Sequence, residues 1–559
     1  MADLKSFIAS DIENLRQLCA IGRFDYIIIG SGIGGGILAD QLASRQKKVL
    51  LIEKGQDTWS THVVNTARPS FARGRDDSAE GNETIFNNLH APVQITDDSE
   101  GFVGGPLFTL GGRSNVWGLW IPRADVDTLS DHFPSEVANE LKTKYFNEAF
   151  KLVTNNAQVD NPNEFYPHGF LDDDILATSI GKINSELYSY IVDKEQGFKV
   201  GPVAIEVNSP APYRFPQGAF SATTALLNRI YSRDKYLTVL MGADVLHLDV
   251  PRPDEDGTKV VRNIAVRRTS NSQVYQFPVI GNTKVILSAG TLCTADIALR
   301  SGLQLYQPKV GRGLIDHAAW SLRVAQQVPP DQKRHTRFTH SPMLFQAIVN
   351  LCGTRALLSI TINYNFFLAG SSNVHIHQYF DHEGKHMSVE NGRKAIKEHE
   401  FNTMAVFIEF GAHLDDENYV LEDGTIPPTV RLRRSEKHDD EESQEELQVL
   451  CTKIRDAVLS LISGREFSDP HHPAPRPTLL GAGIYAHEVG TMRMPTVRTL
   501  HSGKGVEEPG VVDTNLKFNG LDNLYVSDLS VFPYSTPANP TLTLTSIVLR
   551  LAEHLAPSF

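Results

Sequence analysis

His487 stands in the run Tyr485-Ala-His487-Glu-Val-Gly490-Thr491. An imidazole, with an ordinary pKa near ~6.5, can take a proton from a hydroxyl at neutral pH. Taken alone, such a histidine is more often a satisfied core residue. Gly490-Thr491 directly behind it points instead to tight backbone against a bound group. Further on, Asn539-Pro540-Thr541 opens an apolar segment with Leu542, Leu544, Ile547, Val548, Leu551 and Leu555 at helical spacing. Asparagine at the N-cap followed by proline at the first helical position predicts a helix start there. The dipole of that helix favours negative charge near its N-terminus. His487 is therefore a candidate base, and Asn539 a second polar group at a helix N-terminus beside it in the segment.

A second group of residues has the chemistry of phosphate recognition. Gly30-Ser-Gly32-Ile-Gly-Gly35 follows the β-branched and aromatic run 24–29 and precedes a helix and a second apolar strand, Val49-Leu-Leu-Ile52. Glycines at this spacing occur in any tight turn and mean little alone. Here strand, turn, helix and parallel strand form one βαβ unit, and Glu53 closes the second strand where an acid meets a ribose hydroxyl pair. Gly30, Gly32 and Gly35 let backbone approach a pyrophosphate, and the helix N-terminus offers it free N–H groups. The pattern predicts an adenine dinucleotide without a 2′-phosphate; it does not separate NAD from FAD.

The elements that must position these residues are spread along the chain. Leu4, Phe7, Ile8, Ile12, Leu15 and Leu18 predict an amphipathic helix over 4–20. Residues 65–101 read as polar loop, followed by the glycine-rich block Gly104 to Trp117. Residues 237–249 and 260–268 read as two alternating strands joined by the charged turn Arg252–Gly257. Residues 284–290 form a buried strand leading into a helix, and strand-like stretches crowd 318–415, which predicts an antiparallel sheet in a second domain. Phe366, Phe367, Tyr379 and Phe380 there either line a site or, as strand spacing favours, fill the core. The acidic run Asp439–Glu446 precedes Leu447, Leu450, Ile454, Leu459 and Ile462 and reads as a solvated helix start.

With 559 residues, two or more domains are expected. A net charge of −13 without a basic stripe argues against a nucleic-acid partner. No apolar run is long enough for a membrane span. The first residues lack a secretory pattern, and Cys19, Cys293, Cys352 and Cys451 are too scattered for a disulfide frame or a zinc site. A cytoplasmic protein without a metal is the expectation.

Four segments in this order resemble the glucose-methanol-choline (GMC) family of FAD-dependent oxidoreductases. They are Gly30–Gly35 with Glu53, Gly111–Trp117, Val285–Gly302 with Val310-Gly-Arg-Gly-Leu-Ile-Asp-His317, and His487–Thr545. The ending Ala538–Thr543 is most similar to the pyranose-oxidase branch, whose catalytic pair of histidine and asparagine falls on His487 and Asn539. The resemblance implies an α/β fold, α+β in its substrate part: a Rossmann-like FAD-binding domain (1–130, 210–317 and 476–559) and a substrate domain (131–209 and 318–475) on a six-stranded antiparallel sheet. It implies FAD contacts at Gly112, Ser114, Asn115, Val116, Trp117, Asp528, Pro540 and Thr541. That branch tethers its flavin through a histidine where Val116 stands here. Valine cannot form the bond, so non-covalent FAD is expected, and the sugar substrate does not carry over. The implied reaction is oxidation of a small-molecule alcohol, with oxygen or another electron acceptor; the alternative within the family is a lyase without net redox turnover. A simple nicotinamide dehydrogenase would leave the C-terminal segment without a role.

Overall fold

The computed structural model describes residues 11–65, 90–154, 173–192, 197–204, 218–329, 343–362, 376–499 and 505–557. Helix α1 (Ile12–Ala20) is capped by the Asp11 side chain and buries Ile12, Leu15 and Cys19. Leu4, Phe7 and Ile8 of the expected longer helix lie outside the described residues, as do Phe366 and Phe367. Strand β1 (Tyr26–Ile29), helix α2 (Ile33–Ser44) and strand β2 (Val49–Ile52) form the expected βαβ unit, in parallel register from Tyr26 opposite Val49 to Ile29 opposite Ile52. All eight strand residues are buried, as a parallel sheet covered on both faces requires.

Strands β3 (Leu237–Leu240) and β4 (Lys284–Leu287) join the same sheet, and helix α3 (Thr291–Arg300) follows β4. The expected single strand over 237–249 is broken at Gly242, whose φ of +62° turns the chain and whose N–H donates to the Gly55 carbonyl. Residues 243–249 then pair with 263–268 in a separate three-stranded antiparallel sheet. The apolar alternation continues across Gly242, so periodicity alone hides the break.

The second sheet is built on four long strands: β5 (Ala319–Gln327), β6 (Met343–Leu351), β7 (Thr354–Ile362) and β8 (Phe401–Phe410). They lie in the order β5-β8-β7-β6, antiparallel throughout. Short segments at 199–200, 378–380, 386–387 and 478–479 extend it to eight strands among the described residues, where six were expected. Segment 378–380 runs parallel to β5, so the sheet is mixed at that edge. Helix α4 (Glu441–Ser463), capped by Asp440 and ended by Gly464, lays Leu447, Leu450, Ile454 and Val458 against Leu322, Leu358, Val406 and Ile408. The acidic run is thus the helix start it resembled. Tyr379 and Phe380 are fully buried core residues.

Near the C-terminus, β9 (Leu524–Val526) pairs with β4 and completes the first sheet as β9-β4-β1-β2-β3, every neighbour parallel. Helix α5 (Thr541–Leu555) packs on α2. No helix among the described residues is long and apolar enough to cross a membrane.

Helix α2 sits against strand backbone so closely that no side chain fits between. A Cβ at Gly34 would lie 1.8 Å from the Ser527 carbonyl oxygen, and one at Gly35 would lie 2.0 Å from that of Gly30. Gly30 itself has φ of +99° and would place a Cβ 2.2 Å from the Ser288 oxygen. Gly34→Ala is therefore expected to destabilise the protein by ~3 kcal/mol, the upper part of the overpacking range, because the contact is backbone that cannot swing away. Chemical denaturation checks it: a midpoint like that of the unsubstituted protein would show that α2 can move outward at little cost.

Candidate active site

A cavity of about 810 Å³ runs from the glycine turn to the start of α5, within the size range of ligand sites. Gly30, Gly32, Gly34 and Glu53 line one end; Gly112, Ser114, Val116 and Trp117 line the middle; His487, Asn539, Pro540 and Thr541 line the other end. The second sheet contributes Arg323, Met404 and Phe407.

The first end fits a dinucleotide. Gly32 is the N-cap of α2, with no side-chain cap and no acid in the first turn, so the helix start is left for an anion. A Cβ on Gly32 would meet nothing within 4 Å, which makes this backbone directly approachable from the cavity. Glu53 accepts from the Ser31 N–H (3.0 Å), the Ser31 hydroxyl (2.6 Å) and the Gly55 N–H (2.8 Å). Burial pushes its pKa up, and these hydrogen bonds oppose the shift. Ser31 Oγ also accepts from the Gly111 N–H at 2.9 Å, which ties the two glycine turns together.

In the second turn Gly111 (φ +81°) and Gly112 (φ +52°) are left-handed. The Ser114 hydroxyl donates to the Gly111 carbonyl and accepts from the Ala222 N–H, while Trp117 Nε1 donates to the Phe220 carbonyl at 3.0 Å. Asn115 and Gly35 do not line the cavity. Asn115 is fully buried and donates to the Leu110 and Gly112 carbonyls; its Oδ1 accepts from Ser221 and Thr223. It shapes the turn from behind. Gly35 serves the packing of α2. Asp528 does line the cavity; it accepts from the Gly290 N–H (2.9 Å), the Ser530 N–H (3.0 Å) and the Thr294 hydroxyl (2.5 Å).

At the far end, Asn539 is not the helix cap that its sequence predicts. Pro540 occupies that position (φ −77°, ψ −10°) and provides no capping side chain. Asn539 turns away from the helix, and its Nδ2 donates to Glu409 Oε2 at 3.3 Å. Its Oδ1 is buried without a partner. The start of α5 remains uncapped by any side chain and borders the cavity through Pro540 and Thr541.

Glu409 gathers more than Asn539. Its Oε2 lies 3.3 Å from His317 Nε2 and 3.6 Å from His487 Nδ1, and the two imidazoles are 3.1 Å apart through those same nitrogens. Glu409 and His317 are fully buried, whereas His487 keeps 13% of its side chain exposed and lines the cavity, with no partner at Nε2 among the described residues. Burial alone would lower the pKa of His317, but Glu409 and the adjacent Asp316 hold it above the usual value. Burial, His317 and Arg113 push that of His487 well down. Arg113 pairs with buried Glu488 at 2.7 Å. Tyr485 stacks on His487 with centroids 5.7 Å apart and keeps a buried hydroxyl without a partner. Sequence reasoning assigned no role to His317 or Glu409. The available signal for Glu409 was a single acid inside the apolar run Ala405–Phe410.

Residues 422–547 match the family described as GMC oxidoreductase, and residues 28–70 match an NAD(P)-binding Rossmann-like domain. An (R)-mandelonitrile lyase 1 of Prunus dulcis is 26% identical over 298 residues, covering 52% of this chain and 46% of that protein. An (R)-mandelonitrile lyase-like protein of Arabidopsis thaliana is 24% identical over 332 residues, covering 57% and 54%. The chain thus spans about half the length of the curated relatives it matches. A pyridoxine 4-oxidase from Mesorbium loti superposes with a TM-score of 0.59 at 16% identity, over 95% of this chain and 99% of that one. A formate oxidase from Aspergillus oryzae gives 0.59 at 15%, over 95% and 98%. At these identities the structural likeness is one of fold. The C-terminal region therefore carries the GMC oxidoreductase signature read from the motifs, on a fold shared with two oxidases.

Asn115→Leu would remove four hydrogen bonds from this buried turn. The Thr223 hydroxyl keeps the Leu110 carbonyl and the Ser221 hydroxyl keeps Ser114, so the cost falls on the groups left short of a partner, at ~1–3 kcal/mol for one that stays unpaired. A loss of ~3 kcal/mol in denaturant unfolding is expected; a loss below ~0.5 kcal/mol would show that the turn does not depend on this side chain.

Proposed function

We propose that this chain, a GMC oxidoreductase in its C-terminal region, binds FAD non-covalently and oxidises a small-molecule alcohol to a carbonyl, with His487 as general base and Asn539 as its hydrogen-bonding partner. The carrying observation is that His487 and Asn539, distant in sequence, share one buried carboxylate at the end of a single cavity that runs back to the glycine turn.

Gly30, Gly32 and the open start of α2 would hold the pyrophosphate, Glu53 the ribose, and the 112–117 turn with Asp528 the stretch beyond. Val116 borders the cavity without a group that bonds to carbon, which supports non-covalent binding. When bound, the isoalloxazine supplies the hydride acceptor. His487 takes the hydroxyl proton at the nitrogen that faces the cavity. The Asn539 amide, restrained by Glu409, holds the same oxygen while charge develops on it. The uncapped start of α5 favours negative charge beside it. Phe407 and Met404 of the second sheet restrict water at this end. Oxygen or another acceptor closes the cycle; stopped-flow reoxidation in aerated buffer separates the two.

A second reading, a lyase without net redox turnover, draws on the similarity to the two mandelonitrile lyase proteins. Bleaching of the flavin by an alcohol panel under anaerobic conditions would exclude it, whereas cyanohydrin cleavage with an unbleached flavin would favour it.

His487→Ala is expected to slow anaerobic flavin reduction by ~10²–10⁴-fold, the usual contribution of a general base, with the flavin spectrum retained. Reduction at the unsubstituted rate would end this role for His487.

A further inference from the structure

We propose that His317 and Glu409 act behind His487 as a proton relay: the charge that His487 acquires from the substrate moves to His317 and rests there against the Glu409 carboxylate. This rests on His487 being the base, as proposed for the alcohol oxidation, and concerns what makes it one.

Hydrogen-bond chemistry limits the arrangements. His317 Nδ1 is 3.2 Å from the Thr536 carbonyl oxygen, which only accepts, so Nδ1 carries a hydrogen. His317 Nε2 faces both the Glu409 carboxylate (3.3 Å) and His487 Nδ1 (3.1 Å). If Nε2 also carries a hydrogen, His317 is a cation paired with Glu409, His487 Nδ1 is an acceptor, and His487 presents an N–H to the cavity. In that state His487 can donate but cannot act as a base. With one proton fewer, His317 Nε2 accepts from His487 Nδ1–H, and the lone pair of His487 Nε2 faces the cavity. Only this second state removes a proton from an alcohol.

The step between the states balances. The alcohol O–H bond breaks and an N–H bond forms at His487 Nε2. The Nδ1 proton of His487 passes across 3.1 Å to His317 Nε2. The C–H hydride leaves to the flavin of the proposed oxidation. The cluster ends with one proton more, His487 neutral and His317 cationic; loss of one proton to solvent resets it.

The surroundings favour the charge on His317. Glu409 is 3.3 Å away with no exposure to water, and Asp316 adds its charge from the adjoining position. His487 instead faces the positive fields of His317 and of Arg113. Arg323 lies farther out, above the Phe407 ring at 5.9 Å. Burial lowers both imidazoles, but Glu409 and Asp316 carry His317 upward, whereas His317 and Arg113 add to the fall of His487.

Two measurements test the relay in the holoenzyme. The first is the pH profile of anaerobic flavin reduction for the unsubstituted enzyme, Glu409→Gln and His317→Gln. The unsubstituted acid limb should lie above pH ~6.5, the ordinary histidine value. Glu409→Gln removes the anion that holds the proton on His317, so its limb should move to lower pH by about one unit or more; His317→Gln should also move it down. Lower rates in both variants with the acid limb unmoved would reduce the pair to scaffolding and overturn the relay. The second is ¹⁵N NMR of histidine-labelled unsubstituted holoenzyme, which does not depend on the variants folding. His317 should carry hydrogen on both nitrogens below the limb and on Nδ1 alone above it, while His487 exchanges Nε2–H for Nδ1–H over the same range. A His317 Nε2 without hydrogen on both sides of the limb would overturn the relay. His487→Ala separates the two readings: full activity there removes the base itself, whereas an inactive His487→Ala with an unmoved limb in the other variants removes only the relay.

Discussion

The far end of the cavity is organised by one demand, the burial of the Glu409 carboxylate. An ion with no exposure to water costs several kcal/mol unless donors surround it. The donors come from two separate stretches of chain, His317 just before β5 and Asn539 just before α5, and His317 in turn meets His487 at 3.1 Å. Satisfying one oxygen of Glu409 thus orients one ring and one amide directly, and the second ring through the first. It also explains why Asn539 forgoes the capping role: a hydrogen bond to a charged group is worth more, at ~1.5–3 kcal/mol, than the ~1 kcal/mol of a typical cap. The helix start that Asn539 leaves uncapped is the part of α5 that meets the cavity.

The other end depends on backbone more than on charge. Gly30, Gly34 and Gly35 allow α2 to seat directly on strand backbone, and Ser31 links Glu53 to the second glycine turn. Each of these contacts is short and made by backbone or a small side chain, which leaves the turn little room to shift. Asn115 does for the second turn what the glycines do for the first, with four hydrogen bonds in place of absent side chains.

What was legible in the sequence was mostly local. The βαβ unit shows itself because β-branched runs, a glycine turn and a closing acid lie within a few dozen residues, and each states its own conformation. His487 is marked by the Gly-Thr that follows it. The misread features depend on distant partners. Asn539 looks like a cap until Glu409, 130 residues earlier, comes within reach. His317 and Glu409 acquire meaning only through each other and through His487, 170 residues beyond His317. Asn115 sits in a motif that touches the cavity, yet its side chain points the other way, and motif position does not specify direction. The break at Gly242 is invisible because both strands it separates bury the same kind of residue.

The first sheet is threaded from pieces made at very different times. During synthesis β4 emerges with one edge bare, and the whole second sheet is made before β9 arrives to pair with it and α5 arrives to cover α2. The intervening chain must therefore condense as an insert while its anchor points wait, and the closure costs loop entropy that only the last contacts repay. Because β9 and α5 flank Asp528 and Asn539, the docking event that closes the glycine end of the cavity also installs the end at Asn539. A nascent chain has no stage at which it holds one finished end of the cavity beside an unbuilt other end, so the two ends are completed in a single event.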